Sequence, residues 1–226
     1  MRKHAVDYRE FRLSKINEPR FVHLKLLFSW VIYFALYYFT ERCIPAQNCY
    51  PVHCFLDDVI PFNEWFVLPY VGWYFLIVFS LIYFLVYNVE NFKGLQIYII
   101  VTQVIAMMIY IVFPTRQDLR PAEFPRDNIL TAIVGALYTI DTNTGVCPSL
   151  HVAYSLGIAS SWLKEKPASA WTKCFVIVAV ILICLSTVFI KQHSVLDFFA
   201  ALPVCLIAEM IAFKGYYKKR PLRKTY

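Results

Sequence analysis

The chain has 226 residues, of which 59% are hydrophobic and only 16% charged. Soluble domains carry roughly 25% charged residues, so this composition excludes a soluble core inside a charged surface and describes a chain solvated mostly by lipid. The formal net charge of +7 does not point to nucleic acid. The basic residues gather at the two ends of the chain: Arg2, Lys3, Arg9, Arg12, Lys15 and Arg20 at one, Lys214, Lys218, Lys219, Arg220, Arg223 and Lys224 at the other. Basic segments beside apolar ones are what anionic lipid headgroups attract, so the expected partners are membrane lipids and no nucleic acid.

Residues 1–21 form a basic tail, expected to be cytoplasmic. The first apolar stretch, near 22–40, follows without a small-residue cleavage site and reads as a retained span. A connector carrying Cys43, Cys49, His53, Cys54, Asp57, Asp58 and Glu64 leads to a second stretch near 69–87 and a third near 95–113. The long connector from Pro114 to Pro148 includes Asn128–Ile140, which reads as an interfacial helix. A fourth span is predicted at 149–163. It is short and carries Ser155, Ser160 and Ser161, while Ala153, Gly157 and Ala159 suit close helix packing. The fifth and sixth lie near 170–190 and 194–213, with the turn Lys191–His193 between them, and 214–226 is a second basic tail.

Each stretch is about as long as the roughly 20 helical residues that cross a hydrocarbon core, and backbone in lipid must satisfy its own hydrogen bonds. The predicted fold is therefore all-α, a polytopic six-transmembrane-helix bundle over 22–213. An even span count puts both basic tails, and the connector with Lys164, Lys166 and Lys173, inside. The 41–68 connector, the 114–148 connector and the Lys191–His193 turn then fall outside. Cys43, Cys49 and Cys54 share that outer side, where a disulfide between two of them is expected in preference to a metal site. Cys174, Cys184 and Cys205 read as apolar core residues.

Ionisable residues near membrane depth are costly and point to function. One group is Asn143-Thr144-Gly145-Val146-Cys147-Pro148-Ser149-Leu150-His151. Pro148 suits a first helical turn, and Thr144 or Asn143 is a candidate cap. A helix start offers free N–H groups to an anion; Ser149 adds a hydroxyl and His151 a titratable ring. A capped helix with one polar histidine would look the same. A second group ends in His193-Ser194-Val195-Leu196-Asp197. Residues four apart share a helix face, and a carboxylate on one imidazole nitrogen fixes the tautomer and frees the other to attack. A polar cluster at a span end is the plainer alternative. The third group is Arg116-Gln117-Asp118-Leu119-Arg120-Pro121, whose arginines match either phosphate oxygens or lipid headgroups. All three groups fall at the outer ends of spans three to six, so packing brings them to one pocket.

At these residues the sequence resembles the phosphatidic acid phosphatase type 2 superfamily of membrane lipid phosphatases and headgroup transferases. Its signatures are Lys-x6-Arg-Pro, Pro-Ser-Gly-His and Ser-Arg-x5-His-x3-Asp. Here they read Arg120-Pro121, Pro148-Ser149-Leu150-His151 and Ser186-Thr187-x5-His193-x3-Asp197, spread over about residues 113–197. The Pro-Ser-Leu-His form is similar to the inositol phosphorylceramide synthase-like branch. Phe113 stands where the family has lysine, Leu150 replaces glycine, and Thr187 replaces arginine. The resemblance implies His193 as nucleophile, Asp197 as its orienting partner and His151 as the acid that protonates the leaving alkoxide. It implies Arg120, Ser149, Lys191 and Arg116 as phosphate-binding residues, with no metal and no cofactor. The expected activity is hydrolysis of a lipid phosphomonoester through a phosphohistidine. The alternatives are transfer of a phospho-headgroup between lipids and a non-catalytic lipid-binding or transport protein.

Overall fold

The computed structural model describes residues 5–218; the basic residues Arg2, Lys3, Lys219, Arg220, Arg223 and Lys224 lie outside them. The chain is an all-α polytopic membrane protein with almost no sheet. In chain order its helices are α1 (Phe28–Cys43), α2 (Phe55–Val59), α3 (Val67–Tyr87), α4 (Val89–Val112), α5 (Ile129–Ile140), α6 (Leu150–Lys164), α7 (Ala170–Phe189), α8 (Val195–Ala212) and α9 (Lys214–Lys218). Among the described residues, five segments are long and apolar enough to cross a membrane: Val22–Cys43, Glu64–Tyr87, Val89–Val112, Ala170–Phe189 and Val195–Ala212. The sixth expected span is α6. Its 15 residues cover about 22 Å at 1.5 Å each, short of the roughly 30 Å hydrocarbon core.

Helix α6 tolerates that length and its serines because it is packed on most sides. It lies against α4, α7, α8 and α3, and Ala153, Ser155, Ile158, Ala159, Ser161 and Trp162 are buried. A Cβ at Gly157 would stand 2.5 Å from the Tyr98 ring, so glycine is what lets α6 approach α4. Ser161 donates back to the Gly157 carbonyl at 2.8 Å, and Trp162 Nε1 donates to Ser80 Oγ at 2.9 Å. Helices α3, α7 and α8 instead present Phe75, Phe79, Trp171, Phe175, Leu206 and Met210 outward, the apolar belt that lipid covers.

Helix α4 begins six residues before the expected span. Asn88 caps it by accepting from Asn91 N at 3.1 Å, and Asn88 and Asn91 both donate to Glu165, at 2.6 and 2.8 Å. The polar Glu90-Asn91-Lys93 stretch thereby enters the helix. The N-terminal segment docks on the same end of the bundle: Ala5 N donates to Val86 O at 2.8 Å, and Tyr8 bonds His23 at 2.7 Å and Leu85 O at 3.0 Å. Tyr217 donates to Glu209 near the end of α8, so both described ends of the chain share that end of the bundle.

At the other end the connectors are knitted together. Strand β1 (Tyr50–Pro51) pairs in parallel with β2 (Thr115–Arg116). Helix α5 matches the helix expected over 128–140, with Asn128 as its cap, accepting from Leu130 N and Thr131 N. The disulfide expected among Cys43, Cys49 and Cys54 is not formed, and all seven cysteines are free thiols. Cys49 is turned inward, its Sγ donating to Pro45 O at 3.6 Å, while Cys43 is exposed.

Candidate active site

The starts of α6 and α8 meet. Ser149 N donates to Asp197 O at 3.1 Å, which joins the two turns directly. Ser149 is the cap of α6, accepting from Val152 N at 3.4 Å. The candidates Asn143 and Thr144 are used elsewhere, Asn143 donating to Gln117 O and Thr144 bonding Thr142 and Glu41. Tyr110 donates to Pro148 O at 2.6 Å and Cys147 N to Thr115 Oγ1 at 3.1 Å, fixing the loop before α6. Burial and the neighbouring Asp197 carboxylate push the Cys147 thiol up to about 12.

Helix α8 opens with a capping box. Ser194 accepts from Leu196 N at 3.1 Å, and Asp197 Oδ2 accepts from Ser194 N at 3.0 Å. The same Oδ2 meets His193 Nδ1 at 3.1 Å, and Asp197 is fully buried. One carboxylate thus closes the helix start and braces the imidazole, leaving Nε2 on the far side of the ring. His193 N and Gln192 N both donate to Thr187 O at 3.0 Å, and Lys191 adopts a left-handed φ of 55°, an uncommon conformation outside glycine.

His151 and His193 face one another with ring centroids 5.7 Å apart. The His151 ring stacks on Tyr70 at 4.4 Å and leans on Trp73 at 4.1 Å. Its Nε2 is buried and has no hydrogen-bond partner among the described residues. Both histidines line a cavity of about 470 Å³ walled by α1, α3 and the loop before α6. The arrangement provides two imidazoles lining one space, that of His193 carboxylate-braced. They lie beside the start of α6, where Ser149 N and Val152 N are taken by Asp197 O and Ser149 Oγ and the N–H groups between them have no i−4 carbonyl. A carboxylate-braced imidazole facing a second imidazole is an arrangement that can serve acid–base or nucleophilic chemistry.

The four expected phosphate ligands do not gather there. Ser149 is fully buried as the α6 cap. Arg120 Nη1 donates to Tyr138 O at 2.9 Å, and its Nη2 donates to Asp141 O at 2.6 Å and Gln192 Oε1 at 2.7 Å, so the guanidinium stands behind the cavity wall. Burial pulls Arg120 below the usual arginine value, against the opposing effect of Asp141. Lys191 Nζ donates to Asp57 O at 2.6 Å and Ile60 O at 2.5 Å, and burial lowers it too, opposed by Asp57 and Asp58. Arg116 lies in β2 and its following loop, not a helix turn from Arg120. It donates to Asp118 at 3.0 Å and Ala46 O at 2.9 Å. At the departures from the motif, Phe113 stacks on Tyr50 at 4.4 Å and Thr187 Oγ1 donates to Cys184 O at 2.8 Å.

Two carboxyls at this end were not singled out from the sequence. Asp141, just past α5, lines the cavity and accepts from Tyr37 at 3.0 Å, Tyr70 at 2.7 Å and Gln192 Nε2 at 3.0 Å. Glu41 accepts from Thr142 and Thr144. The available signal was an acidic residue ending an apolar segment in each case, Tyr-Thr-Ile-Asp at 138–141 and Phe-Thr-Glu at 39–41.

A PA-phosphatase related-family protein of Dictyostelium discoideum is 30% identical to the chain over 105 residues, which are 46% of this chain. The chain covers 17% of that protein's length. No family model matches the chain, and no solved structure matches it. The distant likeness agrees with the superfamily that the motifs resemble and leaves the branch within it open.

Proposed function

We propose that this chain is a membrane lipid phosphatase that moves the phosphoryl group of a lipid phosphate ester onto His193 and then to water. The observation that carries the reading is the buried Asp197–His193 pair facing His151 across one cavity. His193 Nε2 attacks phosphorus while Asp197 holds Nδ1–H. The bond from phosphorus to the lipid oxygen breaks, and His151 gives that oxygen a proton. His151 then takes a proton from water as the water oxygen attacks phosphorus, the P–N bond breaks and His193 is restored. The N–H groups at the start of α6 meet the developing charge on the nonbridging oxygens. The distribution of basic residues favours cytoplasmic termini and a site at the outer face.

The test is His193→Ala, purified in detergent and assayed for phosphate release from a panel of lipid phosphates. Release is expected to fall by at least about a thousandfold, and labelled phosphate to be trapped on the acid-quenched wild type but not on the variant. Undiminished turnover in His193→Ala sinks the reading. Absence of any trapped phosphate from a labelled lipid favours a non-catalytic lipid-binding protein.

A second reading is transfer of a phospho-headgroup to a lipid alcohol. It is favoured by a cavity bounded mainly by Trp30, Phe34, Ile77, Val78 and Leu81, apolar walls that suit an alcohol acceptor as well as water. Adding an acceptor alcohol and recovering a new phospholipid in place of free phosphate would support it.

A further inference from the structure

The cavity has a charge pattern that suits one kind of headgroup. Among its described lining residues there is no lysine or arginine, and one carboxylate, Asp141. The nearest guanidinium, Arg120, is occupied by three oxygens behind the wall. A phosphomonoester brings about −1.5 to −2 charges at neutral pH, whereas a phosphodiester brings one. A single helix start offers roughly half a positive charge. With a carboxylate in the same lining, a dianion is badly matched, and a phosphodiester that carries its own cation is well matched.

The walls say which cation. Tyr33, Tyr37, Trp73, Tyr74 and Tyr110 line the cavity around Asp141, and aromatic faces attract cations, quaternary ammonium above all. Asp141 already accepts three hydrogen bonds, from Tyr37, Tyr70 and Gln192, out of about four lone-pair positions. Nearby Thr142 and Thr144 bond each other and Glu41. A primary ammonium with three N–H donors would find one free lone pair on Asp141 and otherwise neutral hydroxyl oxygens such as those of Tyr33 and Tyr74. A quaternary ammonium needs no acceptor and still gains from the negative charge. The two ends of such a headgroup also find their places close together. Gln192 adjoins His193, and Tyr70 stacks its ring on His151 while its hydroxyl reaches Asp141.

We infer that the cavity binds the phosphodiester headgroup of a lipid bearing a quaternary ammonium, held between Asp141 and the aromatic wall with its phosphate at the start of α6. This rests on the headgroup-transfer reading for the position of the phosphate, monoester hydrolysis requiring the dianion that this lining disfavours, and extends that reading by naming the headgroup.

The test measures binding apart from turnover. The full-length chain carrying His193→Ala, in a maltoside detergent, is titrated by calorimetry with three short-chain lipids of equal acyl length. These are a phosphocholine, its 3,3-dimethylbutyl isostere with carbon in place of the ammonium nitrogen, and a phosphatidic acid. The phosphocholine is expected to bind about tenfold more tightly than the isostere and more tightly than the phosphatidic acid. Asp141→Asn or Tyr74→Leu should shrink the preference over the isostere severalfold. Equal binding of the isostere, or tighter binding of the phosphatidic acid, overturns the inference, and neither comparison needs the Asp141 variant to fold. Choline preference in a wild type that turns over no lipid would uphold this inference and sink the headgroup-transfer reading. Headgroup transfer to an acceptor alcohol without choline preference would do the reverse.

Discussion

The two ends of the helix bundle bury charge in opposite ways. At the end away from the histidines, Lys164 meets Glu209 at 2.5 Å, bonds Ser160 and lies 4.0 Å over the Phe213 ring. Glu209 also accepts from Ser160 at 2.7 Å and Tyr217 at 2.5 Å. At the histidine end, His151 Nε2 is buried without a partner among the described residues, and so is Arg120 Nε. An unmatched buried polar group costs about 1–3 kcal/mol. One end therefore spends its polar side chains on holding helices together, while the other leaves polar atoms unmatched in the residues that wall and back a cavity, a cost that calls for an explanation beyond packing.

Replacing His151 sharpens this contrast most. His151→Phe keeps a ring against Tyr70 and Trp73 and deletes the unmatched nitrogen. Turnover is expected to fall about a hundred- to ten-thousandfold, while thermal unfolding moves by little or upward by the equivalent of about 1 kcal/mol. Measuring both on one preparation decides it. A variant that loses stability and keeps turnover would make His151 a structural residue.

The converse experiment is Lys164→Met. Stripping one partner from this half-buried ion pair leaves the other charge poorly matched and costs about 1–3 kcal/mol. The loss should appear in detergent unfolding, while turnover per folded molecule stays at the wild-type level. Adding Glu209→Met should restore most of the stability. If turnover collapsed with the ion pair while the protein stayed folded, the division between a structural end and a working end would fail.

The spans were legible because lipid imposes length and apolarity on each one. The count of six is matched by five segments of spanning length, with α6 too short, and several boundaries moved, most at Asn88, whose cap draws Glu90 and Lys93 into α4. The pair His193 and Asp197 was legible because four-residue spacing on a helix start is a local property, reinforced by the Ser194–Asp197 capping box. The fate of the cations was not. Arg120 and Lys191 end on the carbonyls of Tyr138, Asp141, Asp57 and Ile60. These are carbonyls in the last turns of α5 and α2 and just beyond them, and which distant cation reaches a helix end leaves no mark on the residue pattern. Asp141 escaped notice for the same reason, since its donors come from α1, α3 and the turn before α8.

The smallest effect concerns the strap that ties the connector between α1 and α3 to the histidine turn. Asp57 Oδ2 accepts from Ser194 Oγ at 2.6 Å and Cys54 N at 2.8 Å, and its Oδ1 accepts from Val195 N at 2.8 Å. Burial by itself would raise this carboxyl, but the hydrogen bonds outweigh it and hold Asp57 below its usual value of 3.8. A carboxyl lowered in the folded state adds stability in full above its unfolded value, and that stability is lost as pH falls through the folded value. The wild type should thus weaken below about pH 4, where Asp57→Asn, already less stable at neutral pH by about 1–2 kcal/mol, should weaken less. Unfolding midpoints for both proteins between about pH 3 and pH 7 test this directly. Parallel curves would mean that Asp57 does not feel its three donors, and the turn carrying His193 would then need another anchor.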